Sequence, residues 1–577
     1  MERNRLLVLK FGSSVLRSHD DLPRVVNEIY RHVRAGRRVV AVVSAIGQRT
    51  DELMAASNEL DPAADSEHVA ALLATGEEAS SALVALACER AGLPTARFDA
   101  ESARLVSDGP LLDASPVGLD VEAFDSALEG HAVVVLPGFI GRSRCGRVSV
   151  FGRGGSDLTA LFVAHRLQAG GCRLVKDVDG LYDRDPASPG PAPRRFAALP
   201  WSEAETLGGG IVQSKAVRFA RDHRLSFELG AAGSDSPTRI GPDARVFALA
   251  SRFVVPLRVA LCGHGNVGQP LLRALRSRPS QFEVSGVLAR NPRTHVERGL
   301  PADWLVGSID DLMARPCDVL VELIGGTTDA RSCVEQALDR GIDVVTANKA
   351  SLAVFGRDWS RRARRTGARL LISASVGGSV PALETVNALK RRGRIRGFEG
   401  VLNGTANYLL DRFAEGATFD ESLRAAQGLG LAEADPTLDI DGTDAAQKLE
   451  LLARTAWGED HDPIWVEQRG IGDLDPTSIS RRRAEGHVTR LVASASWTPD
   501  GPTARIRPMT LAAEHPLAKT RGEENRLVVC LESGARVEVS GKGAGGWPTA
   551  ESVLADLGDL WSAHSSTNVR ADQEVVS

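Results

Sequence analysis

At 577 residues the chain has room for three or four domains. It is 43% apolar and 25% charged with a net charge of −5, the balance of a soluble globular protein. Its arginines are dispersed, and runs such as Arg361-Arg-Ala-Arg-Arg365 and Arg481-Arg-Arg483 read as solvated helix faces, which argues against a nucleic-acid partner. No apolar run reaches the ~18–20 residues expected of a membrane span. The opening Met-Glu-Arg-Asn-Arg is not a signal peptide. Seven cysteines without paired spacing point to a reducing compartment, the cytoplasm, and away from a zinc site.

Eight of the 69 basic residues are lysines (Lys10, Lys176, Lys215, Lys349, Lys390, Lys448, Lys519, Lys542), and the other 61 are arginines. Where a plain positive charge suffices, this chain uses arginine. A lysine is then expected where a compact, deprotonatable ammonium is needed.

In chain order, residues 6–10 read as a buried strand and Phe11-Gly-Ser-Ser14 as the tight turn after it. A second strand, residues 38–44, leads through Ala45-Ile-Gly47 into a helix. A third, residues 132–136, leads into Pro137-Gly-Phe-Ile-Gly141. Strands alternating with helical stretches predict an α/β sheet with its loops at the carboxyl edge. Phe151-Gly-Arg-Gly-Gly-Ser-Asp157 then runs into a helix over residues 158–168. Its glycines let backbone N–H groups converge on an anion, at the positive end of the helix that Ser156 begins. Arg153 can fork onto a carboxylate. A plain glycine-rich turn with a capped helix is the competing reading. The acidic run Lys176-Asp-Val-Asp-Gly-Leu-Tyr-Asp-Arg-Asp-Pro186 suits nucleotide and Mg²⁺, or a polar turn.

Lys10-Phe-Gly, Val43-Ser-Ala45, Gly76-Glu77, Gly152-Arg-Gly-Gly-Ser-Asp157 and Asp177-Val-Asp-Gly180 together resemble the amino-acid kinase family, aspartate kinase in particular. The resemblance implies phosphoryl transfer from ATP, with Mg²⁺, to the side-chain carboxylate of L-aspartate. Lys10 and the glycine amides, Gly12 among them, stabilise the transferring phosphoryl. Ser44, Glu77, Arg153 and Ser156 position aspartate, Asp157 organises the phosphate end, and Asp177 belongs to the nucleotide loop. Three departures stand out. The family's Lys-Phe-Gly-Gly-Thr-Ser reads Lys10-Phe-Gly-Ser-Ser-Val15, and the Thr before Asp-Val-Asp-Gly is Lys176. The Ala-Lys-Val run whose lysine meets ATP reads Gly209-Gly-Ile211. Lys176 is expected to supply that missing charge.

About 15 residues separate Ser236-Pro-Thr-Arg-Ile-Gly241 from the next strand, too few for a further domain. Bifunctional relatives carry regulatory domains at this point. That strand, residues 257–262, is followed by Gly263-His-Gly-Asn-Val-Gly268 and a helix, a G-x-G-x-x-G fingerprint in its required setting. Gly263, Gly265, Asn266, Val267 and Gly268 are the dinucleotide-binding candidates. The strand over residues 282–289 ends in Arg290-Asn-Pro-Arg293 where an acidic residue would select NAD, so Arg290 favours the 2′-phosphate of NADP. Two further strands end at the same edge, in the loops holding Gly325, Thr346 and Asn348.

Five carboxylates, Glu433, Asp435, Asp439, Asp441 and Asp444, crowd into the loop before an apolar helix over residues 445–457. Thr443 is expected as its N-cap, and Lys448 lies one turn beyond Asp444. A capped surface helix with one ion pair competes with a site for an amine ligand. The Gly263–Gly268 loop, Thr346-Ala-Asn-Lys349, Asn403-Gly-Thr-Ala-Asn-Tyr408, Glu433-Ala-Asp-Pro-Thr-Leu-Asp439, Gly442–Lys448, His515-Pro-Leu-Ala518 and Gly541-Lys-Gly-Ala-Gly-Gly546 are similar to homoserine dehydrogenase over about residues 257–562. The resemblance implies NADPH-dependent reduction of aspartate 4-semialdehyde to homoserine. Lys448 and Lys349 are the candidates for the ammonium at the substrate oxygen. Glu433, Asp439 and Asp444 hold the substrate's ammonium and orient Lys448. Gly404 and Thr405 meet the substrate backbone, and Gly545 approaches the cofactor. A monovalent cation, Na⁺ or K⁺, is implied on main-chain carbonyls of Val376, Gly378 and Val380. Leu431 and Ser373 stand where the family has a tyrosine and an acidic residue.

The expected fold is α/β: an amino-acid-kinase-type α/β/α sandwich over residues 1–241, a linker over 242–256, and an NADP-binding Rossmann domain over 257–375. An inserted α+β catalytic and dimerisation domain follows over 376–540, with a return to the Rossmann domain over 541–562 and a disordered tail over 563–577. The expected protein is bifunctional, acts on small molecules without nucleic-acid or membrane partners, and forms a homodimer or homotetramer. Two readings compete: a dehydrogenase with a scaffolding or ligand-sensing kinase-like domain, and an NADP reductase of another amino aldehyde.

Overall fold

The computed structural model describes residues 3–186, 188–189, 191–207, 210–248, 255–297, 299–458, 461 and 464–574. It divides into two compact units, Val255–His564 and the rest of the chain.

Among the described residues, the first unit is built on a nine-stranded sheet. Its centre is β1 (Leu6–Phe11) between β2 (Arg38–Val43) and β3 (Gly171–Lys176), all parallel. These strands are near-continuous apolar runs because a parallel sheet is covered on both faces; Val8, Leu9, Phe11 and Val39–Val43 are fully buried. A smaller four-stranded sheet, with Ile140–Ser143 and Val148–Val150 as a hairpin, stands beside it. The expected linker is not all linker: Val246–Phe247 pairs with Phe196–Pro200 at the sheet edge. Phe247 stacks on Phe196 at 4.8 Å, an aromatic contact that draws the strand in; residues 249–254 lie outside the described set. The helix Ser66–Arg90 is long and apolar enough by length and composition to cross a membrane, although Glu77 and Glu78 interrupt its apolar run. It is a core helix, burying Val69, Leu73, Val84 and Cys88.

In the second unit, six parallel strands run in the order Leu305–Val306, β5 (Phe282–Leu288), β4 (Leu257–Cys262), β6 (Val319–Glu322), β7 (Asp343–Thr346), Leu370–Leu371. The order reverses between β4 and β6, which opens a crevice at their carboxyl ends where such sheets bind ligands. A third sheet joins Ile464–Gln468, Gly501–Ala512, His487–Thr498, Ile395–Val401, Glu524–Leu531 and Arg536–Lys542. Helices α1 (Gly404–Ala414) and α2 (Thr443–Trp457) lie on it, burying Leu409, Leu410, Leu449 and Leu452 in the same core as Ala493, Ile506 and Leu527. Beyond Gly546 the chain is helical to Glu574, and Val553, Leu554, Leu557 and Leu560 pack beneath the Rossmann strands. The tail expected to be disordered is therefore helical through Glu574; residues 575–577 lie outside the described set.

Candidate active sites

In the second unit the clustered polar residues converge on one carboxylate. Asp444 opens α2. Its Oδ1 is 2.9 Å from Lys349 Nζ and its Oδ2 is 2.8 Å from Lys448 Nζ. Asn403 Nδ2 donates to the same Oδ2 at 2.8 Å and to Asp439 Oδ1 at 2.6 Å. Lys448 Nζ also donates to the Leu402 carbonyl at 2.8 Å, an oxygen that Asn525 Nδ2 shares at 2.9 Å. Thr405 Oγ1 donates to the carbonyl of Leu431, the residue that stands where the family has a tyrosine. Gly404 has no room for a side chain: a Cβ there would meet the Glu523 carbonyl at 2.7 Å.

The charges follow from this geometry. Burial pushes the Asp444 carboxyl up, but the two ammonium groups overcome it and hold it well below the usual range. Burial works against the charge on Lys349, and Asp444, Asp439 and Glu433 more than restore it. Asp439 is raised, chiefly by burial and then by neighbouring Asp444. Glu433 is exposed and reaches the cluster only through its charge. Thr443 is not the N-cap. Gly442, at φ 87°, holds that position and Thr443 is the first helical residue, its N–H donating to Asp441 Oδ1 at 2.8 Å.

At the Rossmann crevice the three fingerprint glycines have separate physical reasons. A Cβ on Gly263 (φ 106°) would meet the Leu323 carbonyl at 2.7 Å, and one on Gly268 would meet the Gly263 carbonyl at 2.3 Å. Gly265 faces open space, as a cradle for a pyrophosphate requires. Asn266 and Val267 complete the loop, and a Cβ on Gly546 would meet the Asn266 carbonyl at 2.2 Å. Gly545 therefore stands beside the nucleotide loop. Buried Glu322 organises the opposite lip: it accepts from Thr346 Oγ1 at 2.6 Å and from the Ile324 N–H at 2.9 Å. Asn348 Nδ2 donates to the Gly326 carbonyl at 2.7 Å, holding the Gly325 turn. Arg290 is exposed and paired with Asp329 at 2.8 Å. At Val376–Val380 two left-handed glycines turn the chain, and a Cβ on Gly378 would meet the Lys542 carbonyl at 2.8 Å. The Val380 carbonyl accepts from the Ala382 N–H at 2.7 Å.

In the first unit, Lys10 at the end of β1 and Lys176 at the end of β3 both point at Asp157, at 2.8 and 2.9 Å. All three are buried. Burial pushes Asp157 up, but the two ammonium groups pull it down overall; Lys176 is lowered by burial and by the charge of Lys10. A Cβ on Gly12 would meet Lys10 Nζ at 2.5 Å, so a side chain there would displace the end of that lysine. Glu77, 2% exposed, is raised to about 8 by burial, opposed by the Ala45 N–H and the charge of Lys10. Its Oε2 has no hydrogen-bond partner among the described residues. Ser44 follows β2, its N–H donating to the Phe11 carbonyl at 2.9 Å. Ser156 packs against the Gly138 turn, and Arg153 and Asp177 are exposed.

Sequence reading missed four residues. Asn403 opens the motif over residues 403–408 without an assigned role, Glu322 ends the strand before Gly325, and nothing local marked Asn525. Lys215 is the clearest omission. Gly209 lies outside the described residues, but Lys215, on the helix Ser214–Asp222, places Nζ 2.9 Å from Asp113 Oδ1 and 3.1 Å from the Phe151 carbonyl, at the mouth of the glycine loop. The rarity of lysine was a signal that should have found it.

Family comparisons agree with this division. The amino acid kinase family model matches residues 5–226, the homoserine dehydrogenase NAD binding domain residues 263–373, and the homoserine dehydrogenase family residues 381–557. The chain is 35% identical over 323 residues to a homoserine dehydrogenase of Pseudomonas aeruginosa, covering 54% of this chain and 74% of that protein. With one from Bacillus subtilis it is 32% identical over 311 residues, covering 52% and 72%. The crystal structure of a homoserine dehydrogenase from Thiobacillus denitrificans superposes with a TM-score of 0.50 at 32% identity, covering 54% of this chain and 74% of that one. The chain belongs to the homoserine dehydrogenase family, and the same polypeptide carries an amino acid kinase family domain ahead of its dinucleotide-binding domain.

Proposed function

We propose that the chain catalyses two steps of threonine and methionine biosynthesis: ATP-dependent phosphorylation of L-aspartate in the first unit, and NADPH-dependent reduction of L-aspartate 4-semialdehyde to L-homoserine in the second. The observation that carries the second activity is the Lys349–Asp444–Lys448 cluster. An ammonium has three donors. Lys448 commits one to Asp444 and one to Leu402, which leaves the third for the substrate oxygen. When bound, NADPH supplies the hydride. Negative charge then grows on that oxygen, and Lys448 meets it with a proton in a site Asp444 has pre-organised. Asp439 and Glu433 take the substrate's ammonium. The open face at Gly265 fits a pyrophosphate, and Arg290 with Arg293 favours a 2′-phosphate over a bare ribose.

For the kinase, Lys10 and Lys176 face the phosphoryl oxygens from either side of Asp157, Glu77 takes the α-ammonium of aspartate, and Arg153 takes its α-carboxylate. Among the described residues no group of three or more His, Cys, Asp or Glu could hold a metal ion. Mg²⁺ enters with ATP, held mainly by nucleotide phosphates and water. The carbonyl-only turn at Val376, Gly378 and Val380 suits a monovalent cation. The cytoplasm is the proposed compartment, from the unpaired cysteines. A homodimer or homotetramer is the proposed assembly, supported by the edge strand Ile464–Gln468, whose Ile464, Trp465 and Val466 are exposed. Trapping aspartyl phosphate with hydroxylamine, beside NADP-dependent homoserine oxidation by the same preparation, tests both halves. Homoserine oxidation without ATP-dependent trapping would refute the kinase half.

A further inference from the structure

Asn403 caps α1, and Asn407 and Asp411 follow at four-residue intervals, the latter two on one face of the helix. The first touches the catalytic cluster. The last meets Arg490, an arginine 1% exposed in the middle of the strand His487–Thr498. Arg490 Nη2 lies 2.9 Å from Asp411 Oδ1 and donates to the Thr520 carbonyl at 2.5 Å, while Nη1 donates to the Thr489 carbonyl at 2.9 Å. The second oxygen of Asp411 accepts from the Gly522 N–H at 2.8 Å, and Asn407 Nδ2 donates to the Gly522 carbonyl at 2.8 Å. The N–H and the carbonyl of Gly522 are thus both held by α1, and the Thr520 carbonyl by Arg490.

Two contacts lead from that turn to the catalytic cluster. The Glu523 carbonyl sits where a side chain on residue 404 would be. Asn525 supplies the second donor to the Leu402 carbonyl on which Lys448 rests. The arrangement is costly to bury. Burial lowers the affinity of Arg490 for its proton. Arg490 Nε, Thr489 Oγ1, Thr520 Oγ1 and Asn407 Oδ1 are buried without hydrogen-bond partners among the described residues. A buried ion pair is seldom the most stable filling of its volume, so its value here is geometric.

We propose that Arg490, through Asp411, is a positioning residue for the dehydrogenase reaction: it pins the Thr520–Asn525 turn that holds Gly404 and, through Asn525 and Leu402, Lys448. This rests on the reading of Lys448 as the proton donor. The test uses the full chain with Arg490→Met combined with Asp411→Leu, which removes both charges at similar volume, and separately Arg490→Lys, which keeps the charge and loses the fork. The double variant is expected to fold and to keep the KM for NADP. Its homoserine kcat should fall about tenfold or more, and trypsin should cut Arg521–Gly522 at least about tenfold faster as the turn loosens. Arg490→Lys should move both readouts in the same direction, and it decides the matter if the double variant does not fold. Lys448→Met is assayed alongside. If it retains wild-type kcat, the reading beneath the proposal is wrong. If it is inactive while the Arg490 variants keep wild-type kcat, KM and tryptic resistance, the reading stands and the positioning role is refuted.

Discussion

Lys448 Nζ lies 2.8 Å from Asp444 Oδ2 across one helical turn, and their side chains are only 7% and 8% exposed. The same spacing on a surface helix is worth roughly 0.3–0.5 kcal/mol; buried and shared with Lys349, the carboxylate instead sets the charge of the whole site. Asp444→Asn is expected to lower homoserine kcat about 100-fold or more, since Lys448 loses its orienting partner. It should cost roughly 3–5 kcal/mol of stability, because the buried Lys448 ammonium loses its ion-pair partner. Unchanged kcat in a correctly folded variant would exclude the assigned role.

The sign of the pH dependence follows. The folded pKa of Asp444 is depressed, so its contribution is fully present above the unfolded carboxylate value of about 3.9 and is lost as pH falls through the folded value. The stability gap between wild type and Asp444→Asn should be constant from about pH 7 to 5 and narrow only below about 4. Urea titrations at stepped pH measure it, and a gap that closes near neutrality contradicts the assignment.

How far the sequence reaches is clear from these residues. Local signals were reliable: the glycine spacing of Gly263–Gly268 fixed the strand–turn–helix, and the rare lysines marked Lys10, Lys176, Lys349 and Lys448. What stayed hidden was long-range. Asn525 meets Leu402 across 123 positions, and no periodicity encodes such a contact. Val246–Phe247 joins a sheet where Phe247 stacks on Phe196, a partner 51 residues away that a two-residue apolar stretch does not reveal. Thr443 lost the N-cap to Gly442 because the turn needed a left-handed residue there.

Glu77 should couple aspartate binding to proton release. Its folded pKa of about 8 lies above the unfolded value of about 4.3, so at pH 7 the free enzyme holds the proton. An ammonium placed beside it lowers that pKa, and up to about one proton should leave on binding. Calorimetry of aspartate binding in two buffers of different ionisation enthalpy reads this directly; equal enthalpies would show that Glu77 does not meet the ammonium. Without ligand, the raised pKa costs stability progressively between about pH 4.3 and 8. Glu77→Gln should therefore gain on wild type over that interval while losing aspartate phosphorylation.

Lys176 and Lys215 should separate kinetically. Lys176 is tied to Asp157 inside the site, so Lys176→Met is expected to lower the kinase kcat by about tenfold or more with the KM for ATP within about twofold. Lys215, a third exposed at the mouth of the glycine loop, is free to exchange Asp113 for a phosphate. Lys215→Met should raise the KM for ATP about tenfold with a smaller effect on kcat. The sequence-based expectation assigned the ATP charge to Lys176, and the same pair of variants decides between the two lysines. A KM effect confined to Lys176→Met would uphold that expectation.

The fingerprint glycines separate folding from binding. At Gly265 a methyl group meets nothing within 4 Å, so Gly265→Ala should leave the melting temperature nearly unchanged while intruding on the space a pyrophosphate needs. At Gly268 the same methyl lies 2.3 Å from the Gly263 carbonyl, a contact only backbone movement can relieve. Gly268→Ala should therefore force α-helix and strand apart and lower stability by roughly 1–3 kcal/mol, with nucleotide affinity falling as a consequence. Thermal unfolding paired with fluorescence titration of NADPH distinguishes the two. If Gly265→Ala binds NADPH as tightly as wild type, the pyrophosphate does not cross that residue, and the crevice must hold the dinucleotide in another register.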